Sequence, residues 1–142
     1  IAGFGAAAEA AADGIAVYQE VARLRDRLEA GVRALAPAAE IFGADVPRLP
    51  NTSCIRMPGV AAETQVMALD LAGVCVSSGS ACTSGKVKSS HVLLAMGKAA
   101  EAAGETLRVS LGWESRDDDV DRFLDAWGAL LKRVGGAQAS AA

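Results

Sequence analysis

Cys82 stands in a run, SSGSACTSG, that suits a nucleophile which has to move better than it suits a packed core. Its neighbours Ser80, Ala81, Thr83 and Ser84 are small and leave the sulfur accessible, and Gly79 and Gly85 bracket it as pivots. The competing reading is a loop cysteine without a task, because burial or chance is the commoner fate of this residue type. Cys75, between Val74 and Val76, is expected to be a small core residue, and Cys54 a structural residue in a strand. Arg108 projects from the polar face of an alternating segment, where a guanidinium can grip a carboxylate through two parallel hydrogen bonds. The plain alternative is a solvated surface arginine. His91, the single histidine, is either a base for the Cys82 thiol or a helix-terminal residue with no chemical task. Asn51, after Pro50, either orients a polar substrate or closes a turn.

These residues need a frame, and the hydrophobic spacing supplies one. The opening IAGFGAAAEAAADGIAVY reads as helix, since alanine is the best helix former. Val17, Val21, Leu24, Leu28, Val32 and Leu35 then recur at intervals of three and four and form one apolar stripe. Arg23, Arg25, Arg27 and Glu29 are expected to face water, and Pro37 to stop the helix. Residues 53–57 read as a strand ended by Pro58-Gly59, residues 63–72 as a helix closed by Gly73, and residues 74–76 as a short buried strand. Ser90 is placed to cap a short helix that stops at Gly97. Residues 106–111 alternate, with Leu107, Val109 and Leu111 on one face and Arg108 and Ser110 on the other. Ser115 followed by Asp118 resembles a capping box for a last helix. That helix buries Val120, Phe123, Leu124, Trp127, Leu130, Leu131 and Val134, with Asp117 to Asp119 at its positive end and Lys132 and Arg133 at its negative end. Gly135-Gly136 introduces an expected frayed tail. The sum is an α/β unit, long helices packed on a short-stranded sheet.

Composition removes several classes of function. A net charge of -3 without basic clusters argues against nucleic acid. No apolar run approaches the roughly 20 residues that span a bilayer. Three cysteines with no C-x-x-C, and one histidine, fit neither a disulfide framework nor a zinc site. Free thiols suit a reducing cytoplasm. Ile1 is not an initiator methionine and the chain opens within a helix, so a piece of a longer protein is expected.

Taken together, VSSGSACTSG, SHVLLAMG and LRVSLG resemble the C-terminal region of the cysteine desulfurases, pyridoxal-phosphate enzymes of the class V aminotransferase group. Upstream, IAGFGAAAEAA, LPNTSCIRMPG and ALDLAGVCVSSGSAC extend the resemblance over nearly the whole chain. It implies the small C-terminal domain of a fold-type I enzyme over residues 1–136, including the helix that joins it to an absent large domain, with a disordered tail at 137–142. It also implies conversion of L-cysteine to L-alanine, with Cys82 carrying the sulfur as a persulfide and Arg108 binding the substrate carboxylate. The span from Ser77 to Ser90 resembles the long-loop form, which hands sulfur to iron–sulfur scaffold proteins. Ser89 departs from the pattern, where proline is expected before SHVL. No His-Lys pair occurs, so the cofactor lysine, the stacking histidine and the pyridinium aspartate are expected on the large domain. The implied partners are that large domain, a second copy in a homodimer and a sulfur acceptor; alone, this chain is expected to be inactive. Two other classes stay open: a cysteine hydrolase or acyltransferase using Cys82 and His91, and a non-enzymatic interaction module.

Overall fold

The structure, a computed structural model, describes residues 1–78 and 90–140. Its centre is an antiparallel sheet of β1 (Glu40–Phe42), β2 (Thr52–Arg56), β3 (Ser77–Ser78) and β4 (Thr106–Ser110), in the order β1-β2-β4-β3. Strand alternation sends Ile55, Leu107 and Val109 to one face, where they are buried. Three helices cover that face: α2 (Val17–Leu35), α3 (Ala62–Leu71) and α6 (Asp117–Ser140). The stripe read from the sequence supplies Leu24, Leu28 and Val32, while Val120, Phe123, Trp127 and Leu130 come from α6. Trp127 is fully buried, and truncation of such a side chain to alanine costs about 3–5 kcal/mol. Helices α2 and α6 approach closely at Gly31, where any Cβ would run into the Leu124 side chain.

Two short helices, α4 (His91–Ala95) and α5 (Ala100–Gly104), cover part of the opposite face. There Phe42, Leu93, Ala102 and Ala103 form a second, smaller apolar cluster, with Cys54 packed against it. Ser90 caps α4 as expected, its Oγ accepting from Leu93 N at 3.4 Å. Gly73 and Gly97 take positive φ at the ends of α3 and α4, the conformation glycine adopts without a Cβ penalty.

Several sequence expectations are corrected. Glu29 does not face water: it is 3% exposed, accepting from Arg48 Nη2 at 2.6 and 2.7 Å and from Ser53 Oγ at 2.7 Å. The helical period placed it beside the arginines, but two donors from the sheet side make its burial tolerable. Cys75 is exposed rather than in the core, and residues 74–76 are not a strand; pairing begins at Ser77, opposite Arg108. Ser115 does not cap α6. Its Oγ accepts from Gly112 N, and Asp119 accepts from Arg116 N at 2.9 Å, so the helix starts after Arg116 with half of a capping box. Helix α6 runs to Ser140, so Lys132 and Arg133 lie before its last turn and not at its negative end. The opening is α1 (Ala2–Asp13) and α2, separated by a 3-10 turn at Gly14–Ala16, and α1 buries no residue. The sequence reading missed β1 and α5.

Candidate functional site

Register builds the candidate site. Arg108 pairs with Cys54 on β2 and with Ser77 on β3, and Cys54 pairs in turn with Phe42 on β1. Residues directly opposite one another share a face, so Phe42, Cys54, Arg108 and Ser77 form one row across the sheet. The row lies on the face away from α2 and α6. Helices α4 and α5 cover its Phe42 end and leave Arg108 exposed. The result is a cleft of about 260 Å³ between the sheet and α4, lined by Phe42, Cys54, His91, Leu93, Met96 and Arg108 among others.

Arg108 is the only arginine or lysine lining this cleft among the described residues. Other arginines are committed: Arg48 to Glu29, Arg56 to Glu105 and Glu40, Arg23 and Arg27 to Asp117. Among the described residues no carboxylate pairs with Arg108, so its planar fork is free to take an anion from outside them. Burial pushes the Cys54 thiol above its ordinary pKa, while the charges of Arg108 and Arg48 pull the other way. A thiol held neutral in this way is a poor nucleophile and does not compete for Arg108 as an anion.

The sequence-derived candidates fall unevenly. Cys82 lies outside the described residues, as does any distance from Cys82 to His91, on which a hydrolase would depend. Arg108 projects from the polar face of β4, as its alternation requires. His91 opens α4 and shares the cleft with Arg108. Asn51 does not line the cleft; its carbonyl accepts from Leu111 N at 2.8 Å, and its Oδ1 from Thr52 Oγ1 at 3.4 Å. These bonds lie at the end of the β2–β4 ladder. Cys54 and Phe42 were missed as cleft residues. The alternation around Cys54 was visible, but only long-range register puts it beside Arg108.

The class-V aminotransferase family matches residues 1–123. The chain belongs to that family. Among class-V relatives, the cysteine desulfurase of Cereibacter sphaeroides is 45% identical over 134 residues, covering 94% of this chain and 34% of the relative. Cysteine desulfurase NifS of Azotobacter vinelandii is 42% identical over 105 residues, covering 74% of this chain and 26% of the relative. The solved NifS-like protein from Rickettsia africae superposes with a TM-score of 0.82 at 32% identity, over 92% of this chain and 34% of that one. This class-V chain therefore spans about a third of the length of such relatives. The four-stranded sheet and its helices are accordingly a portion of the fold-type I architecture.

Class-V enzymes of this kind are generally pyridoxal-phosphate dependent, and the described residues do not fit that group. Among the described residues no lysine lines the Arg108 cleft: Lys98 sits with its Nζ 4.9 Å from the centroid of the Phe42 ring, and Lys132 is on α6. No described helix is long and apolar enough to cross a membrane. Among the described residues no group of three or more metal-ligating side chains occurs.

Proposed function

We propose that this chain is the sulfur-accepting part of a cysteine desulfurase that converts L-cysteine to L-alanine and leaves the sulfur as a persulfide on Cys82. The observation that carries the reading is where the Cys82 segment is anchored. Its upstream end, Ser77–Ser78, is paired to β4 at Arg108 and Leu107, and its downstream end, Ser90-His91, lines the same cleft as Arg108. A carboxylate held by Arg108, on the strand paired to the one that leads into the Cys82 segment, is the fixed point that such a transfer needs.

In this reading Arg108 binds and orients, Cys82 accepts, and Cys54 stays a protonated bystander. Asn51 keeps only a structural part at the end of β2. Pyridoxal phosphate belongs to the large domain, and this chain alone is inactive. The partners are that large domain, a second copy in the intact homodimer, and a sulfur acceptor such as an iron–sulfur scaffold, reached by exchange on an exposed persulfide in a reducing cytoplasm. Identity to cysteine desulfurases over 94% of the chain supports the reading. The test is sulfide release from cysteine by the full-length enzyme in the presence of a reductant. Cys82→Ala is expected to abolish it, while Cys54→Ala and Cys75→Ala retain it. Near-normal release by the Cys82 variant would refute the assignment.

A further inference from the structure

A bound carboxylate needs more than the Arg108 guanidinium supplies. It offers about four lone-pair sites, and a planar fork fills two of them. The cleft lining is otherwise largely apolar, with the Phe42 ring and the side chains of Val92, Leu93 and Met96, so an oxygen left without a donor there carries a desolvation penalty. Among the polar lining residues, Thr106 Oγ1 donates to Ala102 O at 2.6 Å, and the Cys54 thiol is a weak donor. Two groups at the start of α4 remain. Ser90 Oγ accepts from Leu93 N at 3.4 Å, which leaves its hydroxyl hydrogen free to donate. His91 is exposed and has no hydrogen-bond partner among the described residues. Both line the cleft, and both are held in place: buried Leu93 seats α4 on the Phe42 cluster, and the Ser90 cap fixes its first turn. Resting on the carboxylate-binding role of Arg108, we propose that His91, with the Ser90 hydroxyl, is a second carboxylate-binding point set across the cleft from Arg108.

A neutral imidazole brings one N–H to that carboxylate, and an imidazolium brings a charge as well. Across the cleft from His91 stand Arg108 on β4 and Cys54 on β2, and no aspartate or glutamate lines it among the described residues. Lys98, in the turn after α4, lies over the Phe42 ring. Glu101 on α5 is exposed and outside the cleft, and Glu40 on β1 is paired with Arg56. A carboxylate held by Arg108 is then the anion beside His91 and favours its imidazolium, so binding is linked to proton uptake.

The test uses the full-length enzyme and competitive inhibition of cysteine-dependent sulfide release by propionate. Propionate carries the carboxylate without the amine, so it cannot condense with the cofactor, and it is ionised at both pH values used. Its inhibition constant is expected to be about fivefold lower at about pH 6 than at about pH 8, the scale of a charge-assisted bond to an exposed group. His91→Gln keeps a donor but cannot change charge, and should remove most of that ratio. His91→Lys keeps a cation throughout, and should bind propionate at about pH 8 as tightly as the wild type does at about pH 6. A residue with a merely structural part would leave the pH ratio alone. A wild-type ratio in His91→Gln would overturn the second point, as would a His91→Lys variant no tighter than wild type at about pH 8. Arg108→Lys separates the two levels. If propionate weakens in that variant while His91→Gln keeps the wild-type ratio, Arg108 stands and only the second point has failed. If propionate binds Arg108→Lys as it binds the wild type, the reading beneath has failed and the second point with it.

Discussion

On the face of the sheet turned to α2, α3 and α6, Ser53 is 2% exposed and its hydroxyl donates to the buried carboxylate of Glu29. One residue along the same strand, on the other face, Cys54 stands beside an arginine with no carboxylate partner among the described residues. The first face closes its charges internally: Glu29 is shared by Arg48 and Ser53, and Leu24, Leu28, Ile55, Leu107 and Trp127 fill the space around it. The second face is closed only at the Phe42 end and leaves a cation open to a cleft. A strand with period two can serve both purposes at once, because neighbouring residues never share an environment. The helix-covered face supplies stability, and the open face is the one proposed to supply binding.

The strongest way to break this contrast is to open a charge on the closed face. Glu29→Ala removes the acceptor of Arg48, whose side chain is 19% exposed and still bonded to Thr52 O. Breaking a buried pair costs about 3–5 kcal/mol, and the partial exposure of Arg48 places this one near the lower end. Denaturant titration followed by intrinsic fluorescence should show the midpoint falling with little change in slope. Loss of less than about 1 kcal/mol would mean that the network is no more than a surface bridge.

The matching change on the open face is Arg108→Lys, which should leave stability nearly untouched. Lysine keeps the charge but cannot make the planar two-bond contact. In the full-length enzyme the half-saturation for cysteine should rise by roughly one to two decades, the equivalent of about 1.5–3 kcal/mol for a charge-assisted bond. Cofactor absorbance without substrate should be unchanged. An unaltered half-saturation would reduce Arg108 to an ordinary exposed charge and erase the functional half of the contrast.

Much of the closed face was legible in advance, because helix and strand periods are local properties. Leu24, Leu28 and Val32, and Leu107 and Val109, went where their spacing sent them. The polar orientation of Arg108 followed from the same alternation. What was not legible depended on register or on partners far along the chain. Glu29 looked solvent-facing until Arg48 and Ser53 were brought to it. Cys75 looked buried because valines flank it, yet pairing starts only at Ser77. Residues 40–42 gave no strand signal of their own and form β1 by pairing with β2. The family resemblance named Cys82 and Arg108 as site residues, but not Phe42 and Cys54, which join Arg108 in one row only in the folded sheet.

A smaller effect separates the thiols that the sequence reading had grouped together. Cys75 is exposed; Cys54 is half-buried in the cleft, and burial raises its pKa. The thiolate is the reactive form, so iodoacetamide at pH 8 should label Cys75 faster than Cys54 by about tenfold or more. Peptide mass mapping against time reads both sites in one sample. Equal rates would mean that the cleft does not desolvate Cys54 and that the open face is more fully wet than its apolar lining implies.

The smallest expected effect lies outside both faces, on the rim where α2 meets α6. Arg23 donates to Asp117 at 3.1 and 2.7 Å, and Arg27 stands beside the same carboxylate. Both partners are well exposed. The Arg23 hydrogen bond, helped by the charges of Arg23 and Arg27, lowers the Asp117 pKa from its ordinary value of 3.8. A carboxylate whose pKa is lower folded than unfolded stabilises the fold above the unfolded value, and that contribution is lost as pH falls through the folded one. Asp117→Asn should therefore lower the melting temperature at pH 7 by no more than about 1–3 °C, given the modest worth of exposed pairs. The difference from wild type should shrink as pH falls through the folded pKa of Asp117, below the ordinary 3.8, where the wild-type carboxylate becomes protonated as well. High salt at pH 7 should shrink it, because exposed charges are screened. A difference that persists in acid, or that ignores salt, would assign Asp117 a packing role at the start of α6. The rim would then belong with the closed face, which holds its shape through contacts that water and ions do not reach.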